Sequence, residues 1–90
     1  MSVVQWVQTA LNRLAILWTS ADPALRKRIT EAAQKIDKEL RNNPQQKGES
    51  RPEGHRILVE MPLGVFFHVD AKNNTVEVVD VWLIRPRKKS

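Results

Sequence analysis

The stretch from Asp22 to Pro44 constrains this chain most. Leu25, Ile29, Ala32, Ala33, Ile36 and Leu40 recur at intervals of three and four, and Arg26, Lys27, Arg28, Lys35, Lys38 and Arg41 fill positions between them. Apolar groups at that spacing form one stripe on a helix, so a helix is expected from Pro23 to about Asn43. Its ends carry their own signals. Asp22 can accept a hydrogen bond from a free first-turn N–H, and Pro23 lacks the donor that would be orphaned at the first helical position. Pro44 disfavours helical geometry in the residue before it. A stripe of this width has to be covered, and the rest of the 90-residue chain must supply the cover.

The C-terminal half supplies it. His55 to Met61, Leu63 to Asp70 and Thr75 to Ile84 are β-prone runs, with Met61-Pro62-Leu63-Gly64 as the turn that joins the first two and Ala71-Lys72-Asn73-Asn74 as a hairpin turn. Asn tolerates the positive φ that such turns require. Upstream, Val3, Val4, Trp6 and Val7 suggest a short strand near residues 2 to 7. Ala10, Leu11, Leu14, Ala15 and Trp18 then suggest a helix near 8 to 19. The segment QQKGESRPEG, residues 45 to 54, is polar and rich in Gly and Pro and is expected to be a loop. Trp6 and Trp82 are expected in the core, which their large area would dominate. A short N-terminal strand, two helices and a three-stranded antiparallel meander give an α+β two-layer sandwich, with the helices on one face of the sheet. We expect a single domain over residues 1–90, ending in a short basic tail at about 85–90, where Pro86 argues against a continued strand or a terminal helix.

Charge and composition narrow the function. The net charge is +5 and there is no cysteine, so a disulfide framework and thiolate chemistry are excluded. The N-terminal residues lack a basic region ahead of an apolar run, so neither a signal peptide nor a membrane span is expected and a cytoplasmic location is. The positive charge is concentrated. Residues 26–41 carry six basic and three acidic groups and the last six residues four basic ones, whereas residues 57–84 carry one basic and four acidic. That distribution suits attraction to nucleic acid or to an acidic protein, and equally a solvated basic surface without such a ligand.

Few chemical motifs stand out. His55 and His68 lack metal-ligand spacing, so no metal is expected, and no glycine-rich phosphate loop is present, so no cofactor is expected. His68 alternates with Phe67 and Val69 and so shares a face with Phe66. It is a candidate general base or a partly exposed strand residue without a role. Glu60, on the preceding strand, is a candidate partner for it. Arg56 and Arg85 each stand at the end of an inferred strand. Two guanidinium forks on one sheet surface would form a phosphate clamp, or would guard a sheet edge against aggregation.

Together Trp6, the helix ending LRNNP (residues 40–44), GHRILVE (54–60), GVFFHVD (64–70) and VEVVDVWLIR (76–85) resemble the RelE/ParE toxin superfamily of bacterial type II toxin–antitoxin systems over nearly the whole chain. The resemblance implies a toxin-like protein with an acidic, partly disordered antitoxin as partner. RelE-like members cleave mRNA in the ribosome with Arg, Lys, His, Glu or Tyr side chains on the sheet, whereas ParE-like members poison DNA gyrase. Where RelE-like sequences place an arginine before a hydrophobic run, this chain has Gly64 before Val65-Phe66-Phe67, and it has no tyrosine. The resemblance therefore implies a RelE-like protein acting on ribosome-bound mRNA with a reduced centre drawn from Arg56, Glu60, His68 and Arg85. The alternatives are a ParE-like gyrase inhibitor and an inert module that binds RNA or protein.

Overall fold

The computed structural model describes residues 2–85, so most of the basic tail and the expectation at Pro86 lie outside the described residues. The elements are β1 (Val3–Trp6), α1 (Gln8–Thr19), α2 (Pro23–Leu40), β2 (Glu49–Ser50), β3 (His55–Glu60), β4 (Leu63–Asp70) and β5 (Thr75–Leu83). They form an α+β two-layer sandwich with the sheet order β1-β5-β4-β3-β2. β5, β4, β3 and β2 run antiparallel in succession, whereas β1 pairs in parallel with β5, Val3 opposite Thr75 and Trp6 opposite Val78.

The expected caps of α2 are in place. Asp22 accepts from the Leu25 N–H at 2.8 Å with Pro23 in the first turn. The helix ends at Leu40, three residues short of Asn43, which takes left-handed geometry (φ 50) ahead of Pro44. Ile29, Ala32, Ile36 and Leu40 are buried against Leu58, Leu63, Val65, Phe67, Val76, Val78 and Val81 of the sheet. Each large aliphatic side chain so buried stabilises the fold by roughly 1.5–3 kcal/mol relative to exposure.

Three expectations are corrected. Residues 45–54 are not simply a loop: Glu49 and Ser50 pair with Ile57 and Arg56, adding a fourth strand to the meander. A backbone can join a ladder without apolar side chains, and here the edge position leaves this strand's side chains exposed. On α1 the core-facing residues are Ala10, Leu14 and Leu17, whereas Leu11, Ala15 and Trp18 look outward. Finally, Trp82 is not in the core. The pairing of β4 with β5 slips between Phe66, opposite Asp80, and Phe67, opposite Val78. Val79 is therefore an extra residue, a β-bulge that reverses the alternation. Val76 and Val78 face the helices before it, Val81 and Leu83 after it, and Trp82 emerges on the other side. Trp6 packs against the core as expected.

The turns fit their residues. The first turn is shorter than expected: Met61-Pro62, with a cis peptide bond, makes a two-residue connection between Glu60 and Leu63, and Leu63 and Gly64 already belong to β4, a geometry that places proline third in the turn. Asn74 takes the positive φ of the second hairpin (φ 55). No helix among the described residues is long and apolar enough to cross a membrane.

Candidate functional site

Both helices pack toward one face of the sheet, and the opposite face carries the side chains available for chemistry. The two-residue turn sets its register: counting five residues back from Glu60 and five forward from Leu63 puts His55 directly opposite His68. On the other side His68 is opposite Glu77, which is opposite Gln5. A transverse row Gln5, Glu77, His68, His55 therefore crosses four strands on one face. The imidazole of His55 stacks on the Phe66 ring (centroids 4.7 Å apart, 5° between planes), and its centroid is 4.9 Å from that of His68. His55 Nδ1 lies 3.3 Å from the Pro52 carbonyl oxygen. Gly54, with φ 78, passes close over His68, where a Cβ would stand 3.3 Å from Nε2. Sequence reading did not place His55 in a site. The signal was the two-residue turn, which fixes the pairing once Met61-Pro62 is taken as the whole connection.

The four residues singled out from the sequence are not brought together. His68 lies on the open face, as the alternation implied. Glu60 pairs opposite Leu63 on the helix side and binds Lys35 of α2 at 3.1 Å, so it cannot partner His68. The Glu60 hydrogen bond and charge hold the Lys35 ammonium above its usual pKa. Arg56 is opposite Phe67, also on the helix side, and its fork is spent on the backbone: Nε donates to Lys47 O at 2.6 Å and Nη2 to Gly48 O at 3.0 Å. Arg85 is exposed at the far end of the sheet, where Ile84 N donates to Pro62 O at 2.7 Å. It follows Val78, the β5 neighbour of the Arg56 pair, by seven residues, roughly 23 Å of extended chain. Arg56 and Arg85 thus do not form one clamp.

The structure also accounts for the glycine. Gly64 is opposite Trp82, and a Cβ at Gly64 would stand 2.6 Å from the indole Cε2 and Nε1. The ring lies where a side chain at position 64 would project, so an arginine there and Trp82 in its present place exclude each other. Beyond Phe66, Arg13 of α1 reaches Asp80 at 3.1 Å. Arg51, whose backbone N–H donates to His55 O at 2.8 Å, is paired with Glu49 at 3.3 Å.

No family model matches the sequence, and no curated protein matches it. Solved structures do. A chain of the RelBE2 toxin–antitoxin complex of Mycobacterium tuberculosis is similar over 91% of this chain and 90% of its own, with TM-score 0.69 and 18% identity. The chromosomal ParDE system of P. aeruginosa gives TM-score 0.64 and 18% identity over 94% and 98% of the two chains. The intact E. coli RelBE toxin–antitoxin complex gives 0.66 and 14% over 97% and 100%. Sequence identity that low leaves little in common besides backbone course, but that course agrees over at least nine-tenths of the chain in each case: the chain has a RelE/ParE-like fold.

Proposed function

We propose that this chain is the toxin component of a type II toxin–antitoxin pair, held by an acidic antitoxin in the cytoplasm, and that it acts, RelE-like, on ribosome-bound mRNA. The observation that carries the RelE-like form is the His55–His68 pair on the open sheet face, beside Glu77. Imidazole is the side chain suited to exchanging protons near neutral pH. In this reading one imidazole takes the proton of a ribose 2′-hydroxyl as that oxygen attacks the adjacent phosphorus. The bond from phosphorus to the 5′-oxygen breaks, and the other imidazole protonates the departing oxygen, leaving a 2′,3′-cyclic phosphate and a 5′-hydroxyl. The proton chemistry stands away from Gly64, where the resemblance places an arginine. Of the four residues selected from the sequence, His68 keeps a catalytic role in this proposal; Arg56 and Glu60 serve the scaffold, and Arg85 is left as a remote phosphate contact.

A ParE-like reading, with DNA gyrase as target, is favoured by a different observation. Arg13 and Arg51 are both in ion pairs, the Arg56 fork is held by backbone carbonyls, and Trp82 covers Gly64, so phosphate charge meets no ready cation there. Induced expression in bacteria, followed by labelled-precursor incorporation into protein and DNA separately, discriminates the two. Translation arrest with mRNA cuts ending in cyclic phosphate, lost in His68→Gln and His55→Gln, is the expected result. Replication arrest unaffected by both substitutions selects the gyrase reading, and normal growth overturns both.

A further inference from the structure

His55 and His68 are the chain's two histidines, and it has no cysteine. These two rings are therefore its whole stock of imidazole and thiolate, the ligands that zinc-class cations prefer. Thirteen residues separate them in sequence, which conceals any ligand spacing, yet β3 and β4 set them opposite each other. The kind of pair they form matters. His55 O accepts from the Arg51 N–H at 2.8 Å, so the backbone polar groups of His55 turn toward β2 and away from β4. Opposed antiparallel residues that exchange no hydrogen bonds stand closest, with Cα atoms about 4.5 Å apart against about 5.5 Å for the bonded kind. The imidazoles accordingly meet with centroids 4.9 Å apart. Two nitrogens bound to one zinc at about 2.0–2.1 Å in a tetrahedron stand roughly 3.3 Å from each other, a separation that rings at this distance can reach.

Each ring is also oriented. A carbonyl oxygen only accepts, so the 3.3 Å contact between His55 Nδ1 and Pro52 O puts the ring proton on Nδ1 and leaves the Nε2 lone pair for a ligand. A bond of this kind fixes tautomer and orientation in metal-binding histidines. Stacking on Phe66, 5° from parallel, holds the same ring plane. His68 turns its Nε2–Cδ2 edge toward Gly54, where a Cβ would stand 3.3 Å from Nε2, so the glycine keeps open a space that a side chain would fill. The surroundings favour a cation. Glu77 pairs opposite His68, and Asp70 follows His68 by two residues on the same face, whereas the Arg51 guanidinium is held by Glu49 and that of Arg56 by backbone carbonyls. No group of three metal-binding side chains occurs among the described residues, so water completes the coordination and the ion is exchangeable. We infer that His55 and His68 form a two-imidazole site for a divalent cation of the zinc class, and that its occupancy ties up both lone pairs needed for proton exchange. The site follows from the paired rings, against the expectation drawn from their sequence spacing; its inhibitory effect rests on the proposed function.

The test titrates zinc chloride into the full chain, prepared without a histidine tag, and follows the imidazole resonances of both rings. They are expected to shift together and to saturate at one equivalent, while magnesium and calcium, which prefer oxygen ligands, leave them unmoved. Two ligands fixed on one sheet bind as a unit, so His55→Gln and His68→Gln should each weaken zinc binding roughly tenfold or more. Zinc should also raise the thermal midpoint of the parent and leave that of either variant where it was. The joint saturation in the parent decides the matter even where a variant is less stable. Rings that shift independently or at two equivalents, a variant that binds zinc as the parent does, an equal response to magnesium, or no shift at millimolar zinc would each overturn the site. Ribosome-dependent mRNA cleavage should stop at the zinc concentration that saturates the rings and return on addition of a chelator, and cleavage undiminished with both rings saturated would overturn the inhibitory effect. A chain that cleaves mRNA and binds no zinc would sink this inference and leave the proposed function standing; a chain that binds zinc and arrests neither translation nor replication would do the reverse.

Discussion

Gly64 and Trp82 show how one residue's identity is set by another eighteen positions away. With the indole 2.6 Å from any Cβ at position 64, Gly64→Ala forces the ring or the strand to move, and such overpacking costs about 1–3 kcal/mol. The expected outcome is a thermal midpoint lower by roughly 4–8 °C per kcal/mol. Gly64→Arg should be tolerated only together with Trp82→Ala, which vacates the space, and a double variant no more stable than Gly64→Arg alone would refute the coupling. Arg56 is the other residue whose role changes between sequence and structure. Its fork holds the Lys47 and Gly48 carbonyls beside β3, so Arg56→Ala should free both and loosen β2. Hydrogen bonds from a charged donor contribute about 1.5–3 kcal/mol each when shielded, less at this partly exposed site. Faster amide exchange at Ser50 and Arg51, with no change in the salt dependence of RNA binding, is the expected signature. A reduced salt slope would return Arg56 to the phosphate-binding role that its sequence position suggested.

At the scale of elements, α2 carries the packing and the turns carry the register. Ile36 is fully buried between α2 and the sheet, and Ile36→Asp would place an unpaired carboxylate there. Burial of an uncompensated charge exceeds what a domain of this size can tolerate, so loss of the cooperative thermal transition is expected at neutral pH. The turn between β4 and β5 has a pH dependence of known sign. The Asn73 side-chain amide donates to Asp70 Oδ2 at 2.8 Å and the Asn73 backbone N–H to Oδ1 at 3.2 Å, and these bonds hold the Asp70 carboxyl below its usual pKa. A depressed folded-state value contributes stability that is present above the unfolded carboxylate range and lost as pH falls through the folded value. The Asn73 amide resonances should therefore move in acid below about pH 4 while core resonances hold, and Asp70→Asn should remove that titration. An Asn73 signal indifferent to both would show that the bonds do not persist in solution.

Over the whole molecule, charge and chemistry divide by layer: the basic residues of α2 lie on the helix side, and the His55–His68 row lies on the open face. The N-terminal strand ties the end of α2 to the start of β5. Ser2 N donates to Arg41 O at 2.9 Å, Val3 N to Asn74 O at 3.0 Å, and β1 covers the edge of β5. Deleting residues 2–6 should uncover that edge and produce concentration-dependent oligomers in sedimentation, and a monomeric deletion variant would show that α1 alone protects it. The local periodicities that the sequence carries in plain view did determine much of this protein. The stripe from Leu25 to Leu40, the Asp22-Pro23 cap, the hairpin turn at Ala71-Lys72-Asn73-Asn74 and the layer order depend on neighbours within a few positions, and they appear in the structure as read, as does the place of His68 beside Phe66. Whatever depended on distant pairing was decided by the tertiary structure alone. The parallel union of β1 with β5 joins residues some 72 positions apart, and β2 belongs to the sheet through its backbone rather than its side chains. The bulge at Val79 turns Trp82 outward because a single extra residue reverses a period of two. Alternation reports which residues share a face, but a bulge is fixed by the strand opposite. For that reason the candidate site was legible in His68 and not in His55, Trp82 or the committed fork of Arg56.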